Sequence, residues 1–515
     1  MNKQLLNNQS SDNNKRIIKN TFMLYTRQIL VLLVSLFTIR VILDVLGVED
    51  YGIYAVVGGA VTLLSFLSNT MASATQRFFS FAIGEGDQEK LNKILSVNFI
   101  IYLAIAITSF IFLETVGLWF IKNELLVPPE RLDAVIFIFH CSILTFIISI
   151  FAAPFMAIII AHEDMQYYAY ISIFEVVLKL GVVFLLMYIN WDKLQLYGLL
   201  LLIVAILTVS MYIYVCLNKY KEVQFRKFYW DKKLCKEIIN FTSWTLFGQI
   251  TTVARDQGIT ILLNQVFSPM TVAARAISSN IASKINMFSA NFNIGLYPPI
   301  IKAYATDDKV GMYKLINNGS KITFFLMWIF ALPLFLEMEN ILNLWLKNPP
   351  PETLIFSRLA LVESLIVSVS LPLGTAARAP GKMKVYELTL GLLQFLLFGL
   401  AYVFLKIGYP AYTVYYIAIC INIVMFFARL LIVGKLTGLR TGVYIHRVII
   451  PLLIIVILSS IITLIFKWIL PNSLFYSFIL MVLSILISSI SMYFIGLNKE
   501  WRLKVRLIIL KKLKV

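Results

Sequence analysis

Nine Lys and Arg side chains fall inside stretches that are otherwise apolar: Arg27, Arg40, Arg77, Lys179, Arg255, Arg275, Lys284, Arg358 and Arg429. A guanidinium presents a planar fork of donors that matches carboxylate and phosphate oxygens, and an ammonium is a compact point charge, so such a set invites an anion. Acids in the same stretches are fewer, chiefly Asp44, Glu114, Glu175, Asp256 and Glu363. A charge at bilayer depth is costly unless it faces protein or water, so these side chains should point inward, toward an aqueous cavity. Asn69, Gln76, Gln249, Asn264, Asn280, Asn286, Asn291 and Asn293 could hydrogen-bond hydroxyls there, although each alone is more often a contact between helices.

Spacing sorts the candidates. Lys179, Arg255 and Lys284 lie near the middle of their apolar runs, out of reach of a snorkelling rescue, whereas Arg27 and Arg429 could act equally as interfacial anchors. Glu175 and Lys179 are four residues apart on one helical face and can neutralise each other, as can Arg40 and Asp44. Arg255 and Asp256 are sequence neighbours, roughly 100° apart around a helix, which predicts that they point in different directions. Arg255 and Lys284 are therefore the expected unpaired cavity cations, with Glu175, Asp256 and Glu363 as possible ion-coupling acids.

The elements that must position these groups are membrane helices. Hydrophobic residues make up 60% of the 515-residue chain and charged residues 14%, a balance that excludes an ordinary water-soluble fold. Fourteen apolar spans can be drawn, at 21–46, 51–83, 93–121, 133–160, 167–189, 194–217, 238–266, 271–299, 316–346, 353–376, 385–405, 409–433, 448–466 and 474–496. Their length means helices, so the fold class is all-α. With the N-terminus in the cytoplasm, thirty Lys and Arg fall in inside segments and six in outside links. That asymmetry predicts a multi-pass membrane protein with both termini in the cytoplasm. The net charge of +18 then serves topology first; nucleic-acid binding is the poorer reading, because the basic residues are dispersed. Segment one, preceded by a polar stretch and lacking a small-residue cleavage site, should stay as an anchor.

A shift of about 221 residues brings Gly86-Asp87…Lys93 onto Asp307-Asp308…Lys314 and Asn20-Thr21…Gln28 near Asn240-Phe241…Gln249. Such a repeat predicts two six-helix lobes, 1–217 and 238–433, with the same orientation, joined by a basic linker at 218–237. Two further helices at 448–496 and a basic tail at 497–515 follow. The linker and the tail mix cations with aromatic or aliphatic residues, as helices lying at an anionic lipid surface do; a solvated linker made basic for topology is the alternative. Prolines at 154, 333 and 372 can kink their spans.

Other chemistry finds little support. Cys141, Cys216, Cys235 and Cys420 are scattered, His140, His162 and His446 lack ligand spacing, and no Walker-type glycine loop occurs. Neither a metal site nor a cofactor is implied. An enzyme of cell-envelope synthesis is disfavoured because no outside link is long enough to carry a catalytic domain.

Val48-Glu49-Asp50-Tyr51-Gly52-Ile53-Tyr54, Ala72-Ser73-Ala74-Thr75-Gln76-Arg77-Phe78-Phe79-Ser80 and Gly84-Glu85-Gly86-Asp87 resemble the polysaccharide-flippase branch of the multidrug and polysaccharide exporter superfamily. The likeness continues through Ala161-His162-Glu163, Trp244-Thr245-Leu246-Phe247-Gly248 and Ala377-Arg378-Ala379-Pro380-Gly381-Lys382. It implies a MATE-like pair of lobes and an O-antigen-type flippase, moving an undecaprenyl-pyrophosphate-linked oligosaccharide across the membrane by alternating access with no covalent step. Membrane lipids and the glycan polymerase or ligase machinery would be its partners. By the same resemblance, Arg27, Arg77, Arg255, Arg275 and Lys284 would face the lumen, joined by Lys179 on depth alone. The two added C-terminal helices would offer an apolar groove for the polyprenyl tail. The rival reading is a cation-coupled multidrug antiporter of the same superfamily, using the acids instead.

Overall fold

A computed structural model describes residues 64–123, 129–223, 229–267, 269–346, 349–471 and 473–497, together with residue 502 and scattered residues between 20 and 61. The Arg40–Asp44 pairing, the stretch 224–228 of the basic linker and nearly all of the C-terminal tail lie outside the described residues.

Every described element is helical. In chain order they are α1 (Ser65–Glu85), α2 (Gln88–Asn123), α3 (Leu132–Ala161), α4 (Met165–Tyr188) and α5 (Lys193–Lys219). Then come α6 (Lys232–Val266), α7 (Pro269–Ala305), α8 (Lys309–Trp345), α9 (Thr353–Arg378), α10 (Lys384–Lys406) and α11 (Thr413–Thr437). The last two are α12 (Thr441–Ile469) and α13 (Leu474–Gly496). Ten of these helices are long and apolar enough to cross a membrane. The exceptions are α1, α6 and α7, which are long but carry Arg, Lys, Asn, Gln and Ser through their centres.

Helix boundaries follow local chemistry. Gly86 takes a left-handed conformation (φ 73°) that only glycine adopts without strain, ending α1, and the Asp87 carboxylate then accepts from the Lys90 N–H at 2.9 Å to start α2. Asp307 repeats the left-handed turn (φ 54°), and Asp308 accepts from the Gly311 N–H at 2.9 Å to start α8. The two sequence-similar loops thus share one turn-and-cap design. Asp192 caps α5 in the same way through the Gln195 N–H at 3.0 Å.

The chain divides into two compact units. The first holds residues 1–249 and 301–307; the second holds 250–300 and 308–515. Helices α6 and α7 each begin in one unit and end in the other. Within the first unit, Val182, Val183 and Leu186 of α4 pack with Leu196, Tyr197 and Val204 of α5. Gly198 lets α5 lie against α3, since a Cβ there would sit 2.8 Å from Ile138. Within the second, Met327, Ala331, Met338 and Leu342 of α8 pack on Ile285 of α7 and Leu361 of α9. Pro154 and Pro372 lie inside α3 and α9, and Pro333 precedes a break in α8 at Glu337, where φ is −106° and ψ is 18°.

Candidate functional site

The second unit holds a polar cavity of about 570 Å³ between α6, α7, α9 and α11, with Arg255, Asp256, Arg275, Asn286, Glu363 and Tyr415 on its wall. Its α7 side is a stripe of small or polar residues at helical spacing, including Ser279, Asn280 and Ser283. In a membrane helix such a stripe has to face water or protein, because lipid cannot satisfy its groups.

Arg255 is not unpaired. Its Nε and Nη2 donate to Asp256 Oδ1 at 3.0 and 2.7 Å. Neighbouring Cβ atoms do diverge around the helix, but the guanidinium stem is long enough to fold back over the divergence. Arg275 completes the cluster from α7: Nη1 donates to Thr260 Oγ1 at 2.8 Å and to the Asp256 carbonyl at 3.1 Å, while Nη2 lies 3.8 Å from the Asp256 carboxylate. Glu363 on α9 accepts from Asn422 on α11 at 3.1 Å. Two guanidinium groups and two carboxylates therefore share one cavity.

Lys284 differs from both arginines. It is exposed on α7 beside Ser283 and has neither a hydrogen bond nor an ion pair among the described residues. It is not on the wall of this cavity, although its neighbours Asn280 and Ser283 line it.

The other expected site residues, Arg27, Arg77, Lys179 and Glu175, lie in the first unit. Arg27 stacks over Tyr168 of α4, with its Cζ 4.6 Å from the ring centroid, and approaches Ser172 Oγ at 3.5 Å. Arg77 is buried, lies over the rings of Phe78, Phe81 and Phe241, and has Glu237 at 3.8 Å. Lys179 donates to Glu175 at 2.6 Å, the neutralising pair that their spacing allowed. Within the second unit the structure thus brings together Arg255, Asp256, Arg275 and Glu363, whereas Arg27, Arg77, Lys179 and Glu175 belong to the first.

Thr260, Tyr415 and Asn422 belong to the site and were missed. Thr260 was recoverable, because it lies one turn beyond Asp256 on the same face of α6. Nothing in the spacing of Asn422 marks it, since its role depends on the packing of α9 against α11.

Four long helices thus place two guanidinium groups and two carboxylates around one cavity. No family model matches the sequence, and no curated protein does. Solved structures do match. A MATE in the bent conformation aligns over 83% of this chain and 97% of its own, with TM-score 0.72 and 13% identity. The outward-facing conformation of a multidrug resistance MATE family transporter of the MOP superfamily aligns over 83% and 96%, with TM-score 0.72 and 13% identity. A MOP superfamily transporter from Pyrococcus furiosus, described as having a binding pocket of reversed polarity that suggests a different function, aligns over 81% and 96%, with TM-score 0.63 and 13% identity. The chain therefore has the fold of MATE transporters.

Proposed function

We propose that this protein is an alternating-access transporter that carries an anionic amphipathic passenger, an undecaprenyl-pyrophosphate-linked oligosaccharide, between membrane leaflets. Lys284 carries the reading: an ammonium without a partner among the described residues, halfway along α7, among Ser279, Asn280 and Ser283. An unpaired cation at that depth is stable where water or an anion meets it. A pyrophosphate supplies the charge, and the hydroxyls of a glycan suit the serine and asparagine groups beside it.

A second feature supports a lipid-linked passenger. An apolar pocket of about 630 Å³ lies in the second unit among α8, α9, α11 and α12, bordered by Phe324, Trp328, Leu365, Phe427, Leu453 and Leu464. Its walls are compatible with a prenyl chain, which gains about 0.8 kcal/mol for each CH2 group removed from water.

The antiporter reading rests on other observations, and the fold neighbours favour it. One of them is a multidrug resistance transporter, and the cavity cation Arg255 is already neutralised by Asp256. Glu363, held by Asn422, would then serve a coupling cation.

Purified protein in vesicles distinguishes the two. Passage of a fluorescent lipid-linked pyrophosphate oligosaccharide, lost in Lys284→Gln at equal vesicle content, supports the flippase. Uptake of a cationic dye driven by a Na+ or proton gradient and lost in Glu363→Gln, with no movement of the lipid, replaces it with the antiporter.

A further inference from the structure

Helix α8 is one continuous rod only up to its break. At Glu337 the backbone leaves helical geometry, and Pro333, which has no N–H, lies one turn before it. A break inside a membrane helix strips carbonyl groups of their partners, and lipid cannot replace them. Here two neighbouring helices supply cations. Arg358 of α9 donates through Nε to the Phe335 carbonyl at 3.0 Å, and Lys467 of α12 donates to the Leu336 carbonyl at 2.6 Å.

Lys467 does more than cap a carbonyl. Its ammonium also lies 2.8 Å from Glu337 Oε1, and the Glu337 side chain is 3% exposed. The second carboxylate oxygen, Oε2, accepts from Asn340 Nδ2 at 2.7 Å, and the same amide donates to Ser477 Oγ of α13 at 2.9 Å. A buried carboxylate whose orientation is set by a neighbouring amide, beside a backbone carbonyl at a helix break, resembles the donor set with which unwound membrane helices hold small monovalent cations.

The structure assigns this break as a monovalent-cation site whose occupant is built in: the Lys467 ammonium stands where a free ion would sit. The consequence is that α12 and α13 hold α8 in its broken form through a tethered charge, so that this site does not draw on ions from solution.

The test removes the tether and offers the ion back. Full-length protein in detergent carries Lys467→Met, and its thermal midpoint is measured in ammonium chloride, sodium chloride and N-methylglucamine chloride at equal ionic strength. The variant should melt several degrees below the parent in N-methylglucamine and recover in a saturable way with ammonium or sodium, while the parent ignores cation identity. Lys467→Gln, which retains a donor for the Leu336 carbonyl, is a milder variant read the same way. In Glu337→Gln with Lys467→Met the recovery should vanish. Lack of cation-specific recovery in both single variants, or equal recovery in the double variant, overturns the assignment.

Discussion

Lys302, near the end of α7, places its ammonium 2.6 Å from Glu163 Oε1 in the turn between α3 and α4. Glu163 is held in an unusual posture to receive it. Its backbone is left-handed at φ 64°, its residue is buried, and its carbonyl accepts from Asn20 Nδ2 at 3.0 Å. A non-glycine residue in that region costs roughly 1–2 kcal/mol, so the contacts around it must over-determine the turn. Lys302 belongs to the short stretch 301–307, which joins the first unit although the rest of α7 belongs to the second.

Removing one member of this pair takes the opposite charge away from the other. Lys302→Met should lower stability by about 3–5 kcal/mol, because the buried Glu163 carboxylate loses the ammonium 2.6 Å from it. Glu163→Gln combined with Lys302→Met should recover most of that loss. Thermal midpoints of the two single variants and the double variant, measured as a cycle, give the coupling; additive losses would reject the pair as a coupled unit.

Gly84 makes a close approach to the end of α7. A Cβ there would lie 3.0 Å from the Ala305 Cβ and 3.1 Å from the Lys302 Cα, both on α7. Gly84→Val should cost about 1–3 kcal/mol through overpacking, whereas Gly399, whose Cβ position is open, should accept valine with a far smaller loss. Detergent melting curves of the two variants check the contrast.

Asp192 sets an acid limit on the first unit. Burial pushes its carboxyl up, but the N–H of Gln195 and the guanidinium of Arg131 outweigh that and hold it below the ordinary aspartate range. A lowered folded pKa contributes stability that is fully present above the unfolded value of about 4 and is lost as pH falls through the folded value. The melting temperature of the parent should therefore decline below about pH 4 more steeply than that of Asp192→Asn. Parallel acid limbs in the two proteins would show that Asp192 contributes no linkage.

The cavity cluster makes a prediction about charge balance. Asp256→Asn removes the carboxylate that Arg255 and Arg275 share, leaving Glu363 as the remaining acid on the cavity wall described above. At an effective dielectric constant of about 20, a pair of unit charges 4 Å apart is worth roughly 4 kcal/mol before desolvation. Pyrophosphate or a pyrophosphate lipid should consequently bind Asp256→Asn more tightly than the parent by tenfold or more, read by the quenching of an engineered fluorophore on α7. Equal affinity would place the anion elsewhere.

The sequence was legible wherever a structural feature is set by neighbours along the chain. The Gly86-Asp87 and Asp307-Asp308 loops looked alike because both must supply a left-handed residue followed by a side-chain cap. The Glu175–Lys179 pair followed from its four-residue spacing. The Arg255–Asp256 pair did not, because the argument from helical angle concerns Cβ directions and ignores the reach of a guanidinium. Lys302–Glu163 and Lys467–Glu337 were illegible for a different reason: their partners are 139 and 130 residues apart in sequence, and only tertiary packing joins them.

The low apolar content of α6 and α7 also bears on how the chain is made. A segment enters the lipid phase during synthesis when its own transfer from the insertion machinery is favourable, and Arg, Lys or Asp at its centre each oppose that by about 2.5–3.5 kcal/mol. With Arg255 and Asp256 in one helix and Arg275 and Lys284 in the next, this adjacent pair is poorly equipped to partition alone. Their retention then depends on company: the two emerge consecutively, and Arg275 of the second finds Thr260 and the Asp256 carbonyl of the first. The cavity network therefore doubles as an assembly contact, and a variant that breaks it should be sought among translocation and quality-control failures as well as among inactive but mature proteins.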